Sequence, residues 1–482
     1  MQKSDAWARD PLILGLAVIL AITFYRLVML SFSTADLFVD ETQYWLWGQT
    51  LDWGYYSKPP LIGWVIRAVT DIAGSDSAFW IRMPGAVFHA TTAVLLIGAA
   101  SEVTTKPAAV VVGCAYVTMP FASVGASLIS TDTILLPFFA AAMWLWLRLV
   151  RGPSGGLAIL LGLCLGLGFL AKYAALYFVI CAAIGAWRIP QARIAWRDLL
   201  LAAIAFAIVI APNIIWNLQN DLVTINHTAD NANWVGEAFA LNPDRALGFF
   251  STQFGVVGPV FFTAYLWAVW AGIRHADWRM RLLVALSFPI LLLVLGQALL
   301  DRAYANWAVT AYVAATVLTV ALLWQSARVV LALGLAINIA IAVAIPVLSS
   351  NADRWMARDG ERLLLRRYVG RADTSARILS EAQAQGIDTL VATHRDILAD
   401  LFYAARDSDL SVFSTPPVGP PDNYYAQRYA LQGSGTSPVL FVSFDAASQC
   451  SETPLASWNA GPAYRNRTIY IYRTAADCWA QP

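Results

Sequence analysis

Charge is what this sequence has least of. Only 13% of its 482 residues are Asp, Glu, Lys or Arg, where a soluble domain carries roughly a quarter. The deficit excludes an ordinary soluble protein of this length. Lys and Arg number 32 against 31 Asp and Glu, and no basic stripe stands out, which leaves no nucleic-acid partner to expect. Histidine is scarce as well. His89, His227, His275 and His394 share no H-x-x-x-H spacing and no carboxylate cluster, so a zinc site finds no support. Three of the five cysteines, Cys114, Cys164 and Cys181, fall in apolar runs and read as small core residues. Cys450 and Cys478 lie near the C-terminus and can pair if that part faces an oxidising compartment. No internal repeat is visible. No A-x-A cleavage pattern follows the first apolar run, Pro11 to Phe32, which reads as a retained helix rather than a signal peptide.

Apolar residues make up 59% of the chain, grouped in runs of about 20, the length that crosses a bilayer. The runs near 11–32, 79–100, 107–127, 131–150, 156–170, 172–188, 198–216, 251–273, 281–300, 303–323 and 328–349 give about 11 crossings. The division at Ala171-Lys172 is the weakest, because 156–188 also reads as one kinked helix. A cytoplasmic N-terminus puts Lys3, Arg9, Lys106, Arg148, Arg151, Arg188, Arg193, Arg197, Arg274, Arg279, Arg281 and Arg328 inside. The opposite short loops then hold little more than Lys172 and Arg302, a strong positive-inside bias. Residues 1–350 are thus expected to form a polytopic helical membrane domain with outer loops 33–78 and 217–250. Residues 351–482 are expected to form a small periplasmic α/β domain. Within it, 388–393, 410–413, 439–444 and 468–472 read as strands and 396–405 as a helix.

This topology collects the polar residues at one interface. Asp40, Glu41 and Lys58 fall in the first outer loop, Asp132 at the start of a helix, and Lys172 at a helix break. His227 lies in the long outer loop, and Asp301, Arg302 and Tyr304 precede a late helix. Such a gathering suits chemistry at the membrane surface; a transporter more often sets ionisable groups at the midplane on interrupted helices. Structural readings stand beside the functional ones. Asp40 and Asp132 are good helix-capping residues, Lys58 can snorkel to the interface, and the Trp and Tyr residues of 38–64 suit an interfacial aromatic belt. His227 reads as part of a polar loop.

Four stretches, VDETQYWLWGQ, YYSKPPLIGW, STDTILLPF and GFLAKYAALY, carry a family likeness. Over about residues 10–350 the chain resembles glycosyltransferase family 39 of the GT-C superfamily, which holds protein O-mannosyltransferases and lipid A aminoarabinose transferases. The resemblance implies a GT-C fold and a sugar donor carried on a polyprenyl monophosphate. It also implies an acceptor outside the cytoplasm: lipid A, another envelope glycan or a protein hydroxyl. Asp40 matches the family's catalytic acidic position, with Glu41 beside it, and Tyr44 matches its aromatic position. Gln43 departs from the arginine that lipid A transferases often carry there.

The leaving group of such a donor is a phosphate monoester dianion, which needs fixed cations. Lys58, Arg302 and Lys172 are the candidates, while Tyr44, Tyr56, Asp132, His227 and Tyr304 are candidates for substrate contact. Asp40 either accepts the proton of an acceptor hydroxyl or orients an acceptor already ionised. No pyrophosphate leaves, so no cofactor is expected, though a divalent metal is not excluded. Two alternatives remain: a metal-dependent oligosaccharyltransferase-like enzyme, and a lipid-linked sugar transporter.

Overall fold

The computed structural model describes residues 10–232, 241–356, 362–432, 437–446 and 453–479. It divides into two compact units, Met1–Ser31, Lys58–Val65 and Arg82–Val347 in the first, and Phe32–Ser57, Ile66–Ile81 and Leu348–Pro482 in the second.

The first unit is helical. Six helices among the described residues are long and apolar enough to cross a membrane, or up to eight if each of two bent pairs is one span. Three further apolar helices, Gly155–Ala171, Tyr173–Arg188 and Ala311–Ser326, are shorter. The expected count of about 11 crossings is met only in part, because several apolar runs are interrupted or short. Ala311–Ser326 is buried on every side from Ala311 to Leu323, as expected of a helix apolar all round. Small residues allow the tightest approach. At Gly162 an added Cβ would meet the Ala202 backbone carbonyl of the neighbouring Trp196–Gln219 helix, the close packing that membrane helices use in place of a hydrophobic drive.

The two bends have sequence causes. Lys106–Thr118 meets Pro120–Ser127 at 54°, and Pro243–Val257 meets Pro259–Ile273 at 111°. Each second helix opens on a proline, which cannot donate into the preceding turn. Gly258 at the sharper bend has φ +98°, and an added Cβ would run into the Asn338 side chain, whose amide donates to the Val257 carbonyl at 2.9 Å. Gly258→Ala is expected to cost about 1–3 kcal/mol from the backbone alone, read as a lower melting temperature in detergent. An unchanged melting temperature would mean that the bend tolerates a side chain.

The second unit holds a five-stranded sheet in the order β2-β1-β3-β5-β4, with β1 Thr389–Ala392, β2 Ser411–Ser414, β3 Pro438–Ser443, β4 Ala456–Asn459 and β5 Thr468–Ala475. β1 runs parallel to β2 and β3, while β5 is antiparallel to β3 and β4. Val391, Val439, Phe441 and Tyr472 form a small core on this sheet. Four strands lie within three residues of their expected limits; β4 and the Arg371–Ala384 helix were not foreseen. The segment 33–78, expected to be a loop, contains two helices, Val39–Gln49 and Leu61–Ala73.

Arg371 binds this unit together. It is 3% exposed, pairs with Asp400 at 2.8 Å, and donates its backbone N–H to Asp36 at 2.8 Å. Tyr464 donates its hydroxyl to the same Asp400 oxygen. Burial pushes the Asp400 carboxyl up to about 6 against the opposing pull of Arg371. Cys478 is disulfide-bonded, and Cys450 lies outside the described residues.

Candidate functional site

In the second unit the polar chemistry centres on the Val39–Gln49 helix. At its first turn the Glu41 carboxylate reaches back and accepts from the Phe38 N–H at 2.9 Å, the one half of a capping box that a phenylalanine N-cap allows. Glu41 is 2% exposed, so this carboxylate serves the helix start. Asp40 is half-exposed, and its Oδ1 accepts from Nη2 of Arg395 at 2.6 Å. Nε of the same guanidinium donates to Gln43 Oε1 at 3.0 Å. Arg395 opens the Arg395–Ala404 helix, and the two helices pack together.

The aromatic residues around Asp40 are inside this unit. Trp47 and Tyr55 stack with centroids 4.7 Å apart and planes 1° off parallel, and Tyr424 meets Trp47 edge-on. Tyr44, Trp45, Trp47 and Tyr55 are all 6% exposed or less. The aromatic-belt expectation is thereby corrected for Trp45, Trp47 and Tyr55, whose rings are buried against neighbouring side chains. The Tyr56 hydroxyl donates to the Pro421 carbonyl at 3.1 Å.

The first unit gathers a second set. Ser130 caps the Thr131–Arg151 helix, accepting from Thr133 N–H at 3.2 Å, which leaves Asp132 free of that duty. Asp132 Oδ1 takes an ion pair from Lys172 at 2.7 Å, and Oδ2 accepts from Asn306 Nδ2 at 2.7 Å. Lys172 sits in extended backbone where the Gly155–Ala171 helix ends, so the break seen in the sequence is what delivers its amine. Asn306 belongs to the turn Ala305–Ala308. That turn is held further by Gln253, which donates to the Ala305 carbonyl at 3.3 Å and accepts from the Tyr312 hydroxyl at 2.6 Å.

Beside this turn opens a cavity of about 700 Å³, with Arg245, Asp301, Arg302 and Tyr304 in its wall. Arg245 pairs with Asp301 at 2.7 Å, and the Arg302 guanidinium lies 5.7 Å from the Tyr304 ring centre. Gly248, Phe249 and Thr252 of the Pro243–Val257 helix line the same cavity. Another side of that helix, Ala246, Leu247 and Phe250, lines an apolar groove of about 480 Å³ with Leu292, Leu295 and Leu299. His227 is half-buried on the Val223–Ala232 helix. Lys58 is half-buried in the bend before Leu61–Ala73. Among the described residues no three His, Cys, Asp or Glu side chains gather as a metal-binding group.

Residues 57–216 match the family model described as dolichyl-phosphate-mannose-protein mannosyltransferase, a span that includes Lys58, Asp132 and Lys172. Over 470 residues the chain is 43% identical to the lipid A galacturonosyltransferase RgtD of Rhizobium johnstonii, covering 97% of this chain and 99% of that one. The chain belongs to family 39 of the GT-C glycosyltransferases. This glycosyltransferase shares its fold with ArnT from Cupriavidus metallidurans. The apo structure of that protein aligns over 97% of this chain and 98% of its own, with TM-score 0.62 and 13% identity. The form bound to undecaprenyl phosphate aligns with TM-score 0.63 and 15% identity over 98% and 99%. The enzyme is thus a multi-pass membrane protein of GT-C fold with a small C-terminal sheet.

Several residues of this glycosyltransferase's candidate site escaped the sequence reading. Arg302 and Tyr304 do come together on the wall of one cavity, and Asp132 and Lys172 in one ion pair. Arg245, Asn306 and Arg395 had no motif to flag them. Arg245 falls in a segment that reads as loop, and Arg395 in a tail whose composition is that of a soluble domain.

Proposed function

We propose that this enzyme transfers a galacturonic acid unit from a polyprenyl monophosphate to lipid A, at the outer face of the inner membrane. The observation that carries the reading is a cavity whose wall holds Arg302, the Arg245–Asp301 pair and Asp230, lying beside an apolar groove along one helix, Pro243–Val257. Such a pair suits an amphiphile with an anionic head and a long apolar tail. The full-length likeness to a lipid A galacturonosyltransferase supports the sugar and the acceptor. An N-terminus in the cytoplasm and a periplasmic residue 351–482 domain complete the proposed topology.

In the proposed reaction an acceptor oxygen attacks the anomeric carbon from the face opposite the phosphate. The bond from that carbon to the phosphate oxygen breaks, and the configuration inverts. Arg302 and Lys58 stabilise the departing phosphate dianion. Lys172, engaged by Asp132, acts by bracing the turn that presents Arg302 and Tyr304, with Asn306 as the link. Tyr44 and Tyr56 shape the surroundings of Asp40, and His227 borders the acceptor path. Asp40 takes the proton when the acceptor is a hydroxyl and orients the acceptor when it is a phosphate.

The test is purified enzyme in lipid with polyprenyl-phosphate galacturonic acid and lipid A, read by mass spectrometry. Lipid A should gain one hexuronic acid residue, with a chelator present or absent. In Arg302→Ala the donor KM should rise about tenfold to a hundredfold, the worth of a charge-assisted hydrogen bond. Transfer from a neutral hexosyl donor alone would sink the choice of sugar. Loss of all transfer with the chelator would favour a metal-dependent oligosaccharyltransferase-like chemistry.

A further inference from the structure

We infer that Arg395, from the C-terminal tail, is a positioning residue of the transfer reaction, holding Asp40 in its working orientation through one carboxylate oxygen. The inference rests on the reading that Asp40 acts on the acceptor.

One guanidinium spans two side chains on the same face of the Val39–Gln49 helix. Nη2 meets Asp40 Oδ1 at 2.6 Å, and Nε meets Gln43 Oε1 at 3.0 Å. Residues three apart on a helix are surface neighbours, and the planar fork of an arginine can bridge them where an ammonium cannot. The result fixes the direction of the Asp40 carboxylate. Among the described residues Asp40 Oδ2 takes no hydrogen bond or ion pair. Arg395 therefore occupies one oxygen and leaves the other for an acceptor.

The donor of this contact is itself rigidly placed. Arg395 is the first residue of a helix whose Ile397, Leu398 and Leu401 are fully buried. The exposure of the pair decides what it is for. The Arg395 and Asp40 side chains are 38% and 45% exposed, and ion pairs that open to water add little to stability. A contact of this geometry with so small a structural return is suited to aiming a functional group, where small misplacements carry large losses in rate.

The experiment compares Arg395→Gln, Arg395→Lys, Asp40→Asn and the double variant Gln43→Arg/Arg395→Gln in the reconstituted transfer assay, with melting temperatures in detergent. Arg395→Gln should lower kcat about 10-fold to 100-fold, with donor and acceptor KM and the melting temperature close to wild type. The double variant moves the guanidinium onto the helix of Asp40 and should recover most of the loss. Arg395→Lys should recover only part, because an ammonium cannot hold both partners. Unchanged kcat in Arg395→Gln beside an inactive Asp40→Asn would overturn the inference and leave the proposed function standing. A matching fall in melting temperature, or no recovery in the double variant, would also overturn it, reducing Arg395 to a structural contact. Full activity in Asp40→Asn would remove the reading of Asp40 itself, and the inference with it.

Discussion

Replacing Asp40 by Asn is expected to cut kcat about 10²–10⁴-fold, the range for losing a general base, with the protein folded as before. The substitution keeps the shape of the side chain and removes its charge and its proton affinity. Stability should hold, because the Asp40–Arg395 pair is half open to solvent and such pairs contribute about 0–1 kcal/mol. Glu41 makes the capping contact to the Phe38 N–H, so the helix start does not depend on Asp40. The donor KM should stay near wild type, since the phosphate contacts are assigned to other residues. Single-turnover transfer with excess enzyme measures the chemical step directly. A loss below threefold would leave Asp40 without a part in that step. The size of the loss also sorts two roles: a hydroxyl acceptor must surrender a proton and should show the larger drop, an ionised phosphate acceptor the smaller.

The opposite signature is expected at Arg371. Arg371→Ala should destabilise the second unit by about 3–5 kcal/mol, the cost of stranding one partner of a buried ion pair. Four contacts go at once: the Asp400 pair at 2.8 Å, the Arg367 carbonyl at 2.8 Å, and the faces of Phe38 and Tyr464 at 5.4 and 5.3 Å. The Asp400 carboxyl, already raised to about 6 by burial in the intact protein, loses its cation and is driven higher. A carboxyl raised in the folded state adds stability that is complete below its unfolded value of about 4 and is lost as pH rises through the folded value. The deficit of Arg371→Ala should therefore be greater at pH 8 than at pH 5, where a protonated Asp400 can still bond to Tyr464. Melting curves in detergent at the two pH values check this, and equal deficits would place the damage outside the Asp400 contact.

Much of the architecture was readable because apolar length and strand alternation are local signals. The break at Lys172 was only half legible, since one charged residue can mark either a kink or an end, and the chain turns there into extended backbone. The 111° bend was also written locally, in Gly258-Pro259, but a run of apolar residues on both sides hid it inside one apparent span. The Val39–Gln49 helix was harder. It is buried on nearly every side, so it shows no apolar stripe of the kind that marks a surface helix. Its tryptophans and tyrosines have the composition of a membrane belt, and only the stacking partners Tyr55 and Tyr424 tell the two apart.

The candidate site was legible where residues carry a motif and illegible where they carry only a position. Asp40, Lys58 and Asp132 stand in recognisable strings. Arg395 meets Asp40 across 355 residues of chain, and Asn306 meets Asp132 across 174. Nothing in the neighbourhood of either residue in the sequence announces its partner. Arg245 was missed for a different reason. Its helix begins at Pro243, while the apolar run that suggested a span begins at residue 251, so its polar first turns read as loop.

The second unit is built from three separate stretches of the chain, 32–57, 66–81 and 348–482, and this has a consequence for biogenesis. During synthesis the Val39–Gln49 helix emerges early and the Arg395–Ala404 helix comes 355 residues after Asp40. At about 5–20 residues per second, the interval is roughly 20–70 s. For all that time a helix meant for burial has no core to enter, and the Trp47 ring lacks the Tyr424 edge that later closes over it. The nascent chain needs shelter for that segment until the tail arrives. A chain that stopped inside the membrane helices would carry Asp40 without Arg395, the side chain proposed to aim it.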